Sequence, residues 1–126
     1  MIVAAACLSA LGMILGGCSG GGAFVPSGNL FEGEFRVAGE TIGTFNFTAT
    51  TNGIQGLGLM AANGTTQISI AAVVTGQTIS GNMTAYTGVT SFAGSFNSET
   101  YASGQFDFVD PEDNVLTGTW IASVSN

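Results

Sequence analysis

The chain carries few side chains able to do acid–base or nucleophilic chemistry. Its 126 residues include no histidine, and Arg36 is the sole cation. Both cysteines, Cys7 and Cys18, precede the first strand that the pattern predicts. A serine or threonine nucleophile would therefore lack an ordinary base. Carboxylates remain. Glu32 and Glu34 share a strand face with Arg36 and read as a solvated stripe rather than an acid/base pair. Asp107, Asp110, Glu112, Asp113 and Asn114 could gather oxygens round calcium, but they match no calcium-loop spacing. Asp-Pro with Asp-Asn is hairpin chemistry in its own right. The expectation is a protein that is not an enzyme, with no catalytic residue, no metal and no cofactor.

Charge narrows the partners. The formal net charge is −7 and charged residues make up 7% of the chain. With one cation there is no basic patch to hold a phosphate backbone, which excludes nucleic-acid binding. Solubility must come mainly from neutral hydroxyl and amide groups, a composition that fits an exported β protein.

Elements that could position any site follow from one repeated pattern. Apolar-x-Gly-x-apolar occurs in Phe31-Glu-Gly33-Glu-Phe35, Ile79-Ser-Gly81-Asn-Met83, Phe92-Ala-Gly94-Ser-Phe96, Ala102-Ser-Gly104-Gln-Phe106 and Leu116-Thr-Gly118-Thr-Trp120. A period of two, interrupted by turn residues, predicts short antiparallel strands. About eight are expected: 30–38, 41–51, 54–62, 65–74, 77–86, 90–96, 100–108 and 115–124. Asn52-Gly53 and Asn63-Gly64 suit the type I′ hairpin because both residues tolerate positive φ.

One face of these strands collects Phe35, Phe45, Phe47, Ile68, Ile70, Ile79, Met83, Phe92, Phe96, Phe106, Phe108 and Trp120. The other collects threonine, serine, asparagine and glutamine. Glycines recur on the aromatic face, where they let a strand bend and leave room for a neighbouring ring. Eight such strands predict an all-β, up-and-down barrel closed on itself over residues 30–126, in preference to a sandwich. A membrane-spanning barrel also alternates, but it would turn the apolar face outward.

Residues 1–17 read as a leader. Met1 to Leu15 is almost wholly apolar and too short for a comfortable membrane span. Leu15-Gly16-Gly17-Cys18 resembles the bacterial lipobox, which implies that Cys18 becomes a lipidated N-terminus; an ordinary cleaved signal peptide is the alternative. Ser19 after that cysteine favours the outer membrane. Residues 18–29, with Ser19-Gly20-Gly21-Gly22, form a flexible tether. The glycosylation-like triplets at Asn46, Asn63 and Asn82 read as chance in a threonine-rich chain.

Thr75-Gly76-Gln77-Thr78-Ile79-Ser80-Gly81-Asn82-Met83, with Gly94-Ser95-Phe96 and Gly104-Gln105-Phe106, resembles the small barrel domain of transferrin-binding-protein-like surface lipoproteins. The lipobox and glycine-rich tether agree with it. Leu116-Thr-Gly118-Thr-Trp120 also looks like strands of avidin-like barrels. The resemblance implies a lipid-anchored protein of the bacterial cell envelope that engages a protein or glycan through its loops and outer face.

Two sets of residues carry the functional alternatives. Leu57, Leu59 and Val73 put apolar groups on the nominally outer face, either as a partner-binding patch or as ground covered by Ala23-Phe24-Val25 of the tether. Phe45, Phe47, Met83, Phe106 and Trp120 would line an interior cavity if the protein carried a small apolar ligand. A structural envelope lipoprotein without a ligand is the third reading.

Overall fold

A computed structural model of the protein describes residues 15–16, 18–19, 29–50 and 52–125. Eight antiparallel strands form a closed barrel: β1 (Asn29–Val37), β2 (Glu40–Ala49), β3 (Gly53–Ala61), β4 (Thr65–Thr75), β5 (Thr78–Ala85), β6 (Gly88–Ser98), β7 (Tyr101–Val109) and β8 (Val115–Val124). Each strand pairs with its neighbours in sequence, and β8 returns to pair with β1 through Trp120 opposite Phe35. Closure leaves no free sheet edge in the barrel. Apart from it, Leu15–Gly16 and Cys18–Ser19 form a two-stranded pairing. Most of the expected leader and tether lies outside the described residues.

Strand positions follow the sequence pattern with small shifts at the ends. β6 begins at Gly88 rather than Thr90 and runs on to Ser98. The ladder slips by one residue beside Phe35 and again beside Tyr101, so a local bulge lets strand ends extend beyond strict alternation.

The turns divide by chemistry. Asn63 and Gly64 both adopt positive φ, at 55° and 106°. Asn52-Gly53 does not follow the expected type I′ geometry, since Gly53 does not have positive φ. There the Thr50 hydroxyl accepts from the backbone N–H groups of Asn52 and Gly53, and Thr50 N–H donates to the Gly53 carbonyl. The threonine side chain thus does locally what a left-handed backbone would otherwise do. Ala38 and Gly39 take the paired positive-φ geometry instead, at 53° and 84°.

The aromatic face is the interior. Phe31, Phe35, Phe47, Phe92 and Trp120 are wholly buried, and Met60 and Ile54 join them from β3. The outward positions carry threonine, serine, asparagine and glutamine, opposite to the facing that a membrane-spanning barrel requires. Inward glycines make the packing possible. A Cβ on Gly104 would meet the Ala93 carbonyl oxygen and lie 2.7 Å from Trp120 Nε1; one on Gly94 would lie 2.6 Å from Trp120 Cζ2. The indole occupies the space these two glycines leave.

Candidate functional site

Phe45, Phe47, Met83, Phe106 and Trp120 come together in the core, each no more than 4% exposed. Phe45 lies 6.0 Å from Phe47 and 5.9 Å from Trp120, and Phe47 lies 6.3 Å from Trp120. Phe92 stacks on Trp120 at 4.6 Å with ring planes 13° apart. Phe35 links this group to Phe106 at 4.8 Å and to Phe45 at 4.5 Å. These separations are ordinary for packed aromatic pairs.

Rings also bridge the barrel wall to wall. β2 and β6 stand opposite each other in the strand order, yet Phe45 of β2 meets Phe92 of β6 edge to face at 6.1 Å. The Trp120 indole N–H donates to the Ala93 carbonyl at 3.0 Å, so its one polar atom is satisfied within the wall. A ligand on the barrel axis would have to part these rings.

Two carboxylates of the outer face, Glu34 and Asp107, engage the protein's own groups. Glu34 accepts from the Thr41 hydroxyl at 2.6 Å and from Arg36 Nε at 2.9 Å. Those two donors, Thr41 first, hold its carboxyl below the ordinary value. A carboxylate kept ionised in this way is a poor general acid. Asp107 accepts from Thr117 at 2.8 Å and from Ser91 at 3.1 Å.

Asp110 is buried at one barrel mouth. It receives the backbone N–H groups of Glu112 and Asn114 on Oδ1, and the side-chain amides of Asn63 and Asn114 on Oδ2. Its acceptor capacity is taken up by protein donors, which leaves a poor cation ligand. Among the described residues, no group of three or more potential ligands gathers where a metal could sit.

The outer face of β2 to β5 is different. Leu57 is 67% exposed, Val73 62% and Leu59 46%. Register places Thr48, Gln55, Ala71 and Asn82 in one row across these strands, and Asn46, Leu57, Ser69 and Thr84 in the next. Leu57 and Leu59 border a groove of about 550 Å³ with Glu32, Asn46 and Gln67. Val73 borders a second, of about 700 Å³, with Gln55 and Asn82. The two grooves share no residue, so Leu57 and Val73 belong to adjacent depressions of one surface. The tether residues Ala23, Phe24 and Val25, expected as cover for this patch, lie outside the described residues.

Sequence reasoning missed one feature of this face that was open to inspection. No charged residue occurs between Glu40 and Glu99, and strand order turns that linear gap into a continuous neutral wall from β2 to β6.

The fold class is therefore an eight-stranded, antiparallel, closed barrel with a packed aromatic interior and an outer wall that is uncharged from β2 beyond Glu40 to β6. No protein-family model, curated protein or solved structure matches the chain.

Proposed function

We propose that the protein is a lipid-anchored binding protein of the bacterial cell envelope, held through Cys18 and engaging a partner with its outer face. The observation that carries this reading is the exposure of Leu57 and Val73 beside two grooves, over an interior bridged by aromatic rings. Leu57 and Leu59, neighbouring apolar side chains on the outward face of β3, mark that face as an interaction surface. The resemblance of the segment from Thr75 to Phe106 to transferrin-binding-protein-like lipoprotein barrels supports the same reading, as does the lipobox at Leu15 to Cys18. A carrier of a small apolar ligand is less well supported, because the rings that would line its cavity contact one another.

The test has two parts. Cys18→Ser should move the protein from the membrane fraction to the soluble fraction of cells; full retention would overturn the anchor. A photo-cross-linking amino acid at Val73 should capture an envelope component in intact cells that the same probe at Thr119 does not. Equal capture from both positions, or from neither, would overturn the outer-face site.

A further inference from the structure

The nine ionisable acidic and basic side chains are unevenly placed. Glu32, Glu34 and Arg36 lie on β1, Glu40 opens β2, Glu99 lies between β6 and β7, and Asp107, Asp110, Glu112 and Asp113 lie on β7 or between β7 and β8. Strand order puts β7, β8 and β1 side by side, so these charges occupy one side of the barrel. The remaining wall, from β2 past Glu40 through β6, carries none. A protein with net charge −7 thus confines its solubilising charge to one half.

At the borders of the charged side, Arg36 and Thr41 turn to the carboxylate of Glu34, Ser91 of β6 and Thr117 of β8 turn to that of Asp107, and Ser103 of β7 donates to Asn97 of β6. On the neutral wall, the amides of Asn46, Gln55, Gln67 and Asn82 point outward and, among the described residues, hydrogen bond to no protein group, as is also true of Gln105 on β7, whereas the Asn63 and Gln77 amides donate to Asp110 and to the Phe96 carbonyl. Each amide presents both a donor and an acceptor. Between them stand Leu57, Leu59, Ala71 and Val73; in the groove beside Val73, uncharged two-way hydrogen-bonding groups alternate with small apolar surfaces, whereas Glu32 of β1 closes one edge of the groove beside Leu57.

We infer that this neutral wall binds an uncharged glycan, a reading that rests on the proposed binding role and specifies its ligand. Hydroxyl and acetamido groups of such a polymer offer the donors and acceptors that asparagine and glutamine amides complement. Its C–H faces suit the leucine, alanine and valine surfaces between them. The absence of cations disfavours an anionic polymer, which would meet the field of a net-negative protein with nothing to neutralise it. A protein partner is less well matched. Protein interfaces are anchored by buried aromatic and arginine side chains, whereas Tyr86 at a hairpin end is the one strongly exposed aromatic of this wall, and Arg36 lies on the other half.

The test is affinity electrophoresis of the full-length protein in a polyoxyethylene detergent. The gels contain dextran, soluble starch, xyloglucan or glycol chitin as neutral polymers, and alginate as an anionic one. Mobility should fall in at least one neutral polymer and not in alginate. Gln55→Glu and Asn82→Glu should each weaken that retardation at least tenfold, while Gln105→Glu on β7 leaves it unchanged. Retardation by none of the neutral polymers, equal retardation by alginate, or equal loss in Gln105→Glu would overturn the inference. A protein captured specifically from Val73, without glycan retardation, would overturn the glycan and leave the outer-face binding role standing. Failure of both capture and retardation would overturn both.

Discussion

The side-chain amide of Asn63 donates to Asp110 Oδ2 across 2.6 Å, joining the β3–β4 and β7–β8 connections. These connections lie on opposite sides of the eight-strand ring. The contact therefore spans one mouth of the barrel rather than tying neighbouring strands, and Asp110 is 2% exposed beneath it.

Acid should loosen this latch. The backbone N–H of Asn114, with the Asn63 and Asn114 amides and the Glu112 N–H, holds the Asp110 carboxyl below its ordinary value despite the opposing effect of burial. A carboxyl with a lowered folded pKa binds fewer protons folded than unfolded. Its stabilisation is complete above the unfolded value of about 4 and is lost as pH falls through the folded value. Urea unfolding at pH 7 and at successive steps below pH 4 should show a smaller acid-induced loss in Asp110→Asn than in the wild type. The Glu34 carboxyl, lowered by Thr41 and Arg36, still contributes in both. Identical acid dependence in the two proteins would count against the latch.

Filling an inward glycine should be costly. Gly104→Ala places a methyl group against the Ala93 carbonyl and the Trp120 indole nitrogen, the same two groups that hydrogen bond to each other. Gly118→Val meets the Arg36 carbonyl, Val37 and Phe106. Each should lower stability by about 1–3 kcal/mol through overpacking, measured by urea denaturation. A neutral result at either position would show that the wall there is free to move outward.

Trp120 should be the least replaceable core residue. Trp120→Ala removes the stack on Phe92, both edge contacts with Phe45 and Phe47, and the Ala93 hydrogen bond. A loss of about 3–5 kcal/mol is expected. As the chain's one tryptophan, its fluorescence in the native wild type should resist quenching by iodide; ready quenching would contradict its burial.

Thr66 presents the opposite case. It is 2% exposed, and its hydroxyl has no hydrogen-bond partner among the described residues. Replacing a buried, unpaired hydroxyl by a methyl of the same shape removes a desolvation penalty. Thr66→Val should therefore raise stability by about 1 kcal/mol, read as a higher urea midpoint with an unchanged slope. A loss of stability would mean that the hydroxyl is solvated in the native protein.

Alternation by itself determined that this chain is all-β, and that Phe45, Phe47, Met83, Phe106 and Trp120 share a face. The side-chain period of a strand is a local property, and a glycine beside an aromatic two residues away can be read without knowing the partner strand. The same local reading went astray at Asn52-Gly53, where the Thr50 hydroxyl supplied an alternative set of hydrogen bonds. What only the tertiary structure decided is what meets across the barrel. Sequence places Phe45 and Phe92 on inward faces far apart in the chain, but closure through β8 and β1 sets the diameter at which their rings touch. The charge-free run between Glu40 and Glu99 is likewise legible as a string, yet it becomes one neutral wall only because consecutive strands pair side by side. Composition and period belong to the residues one at a time, whereas contact between opposite walls depends on strand number, register and closure together.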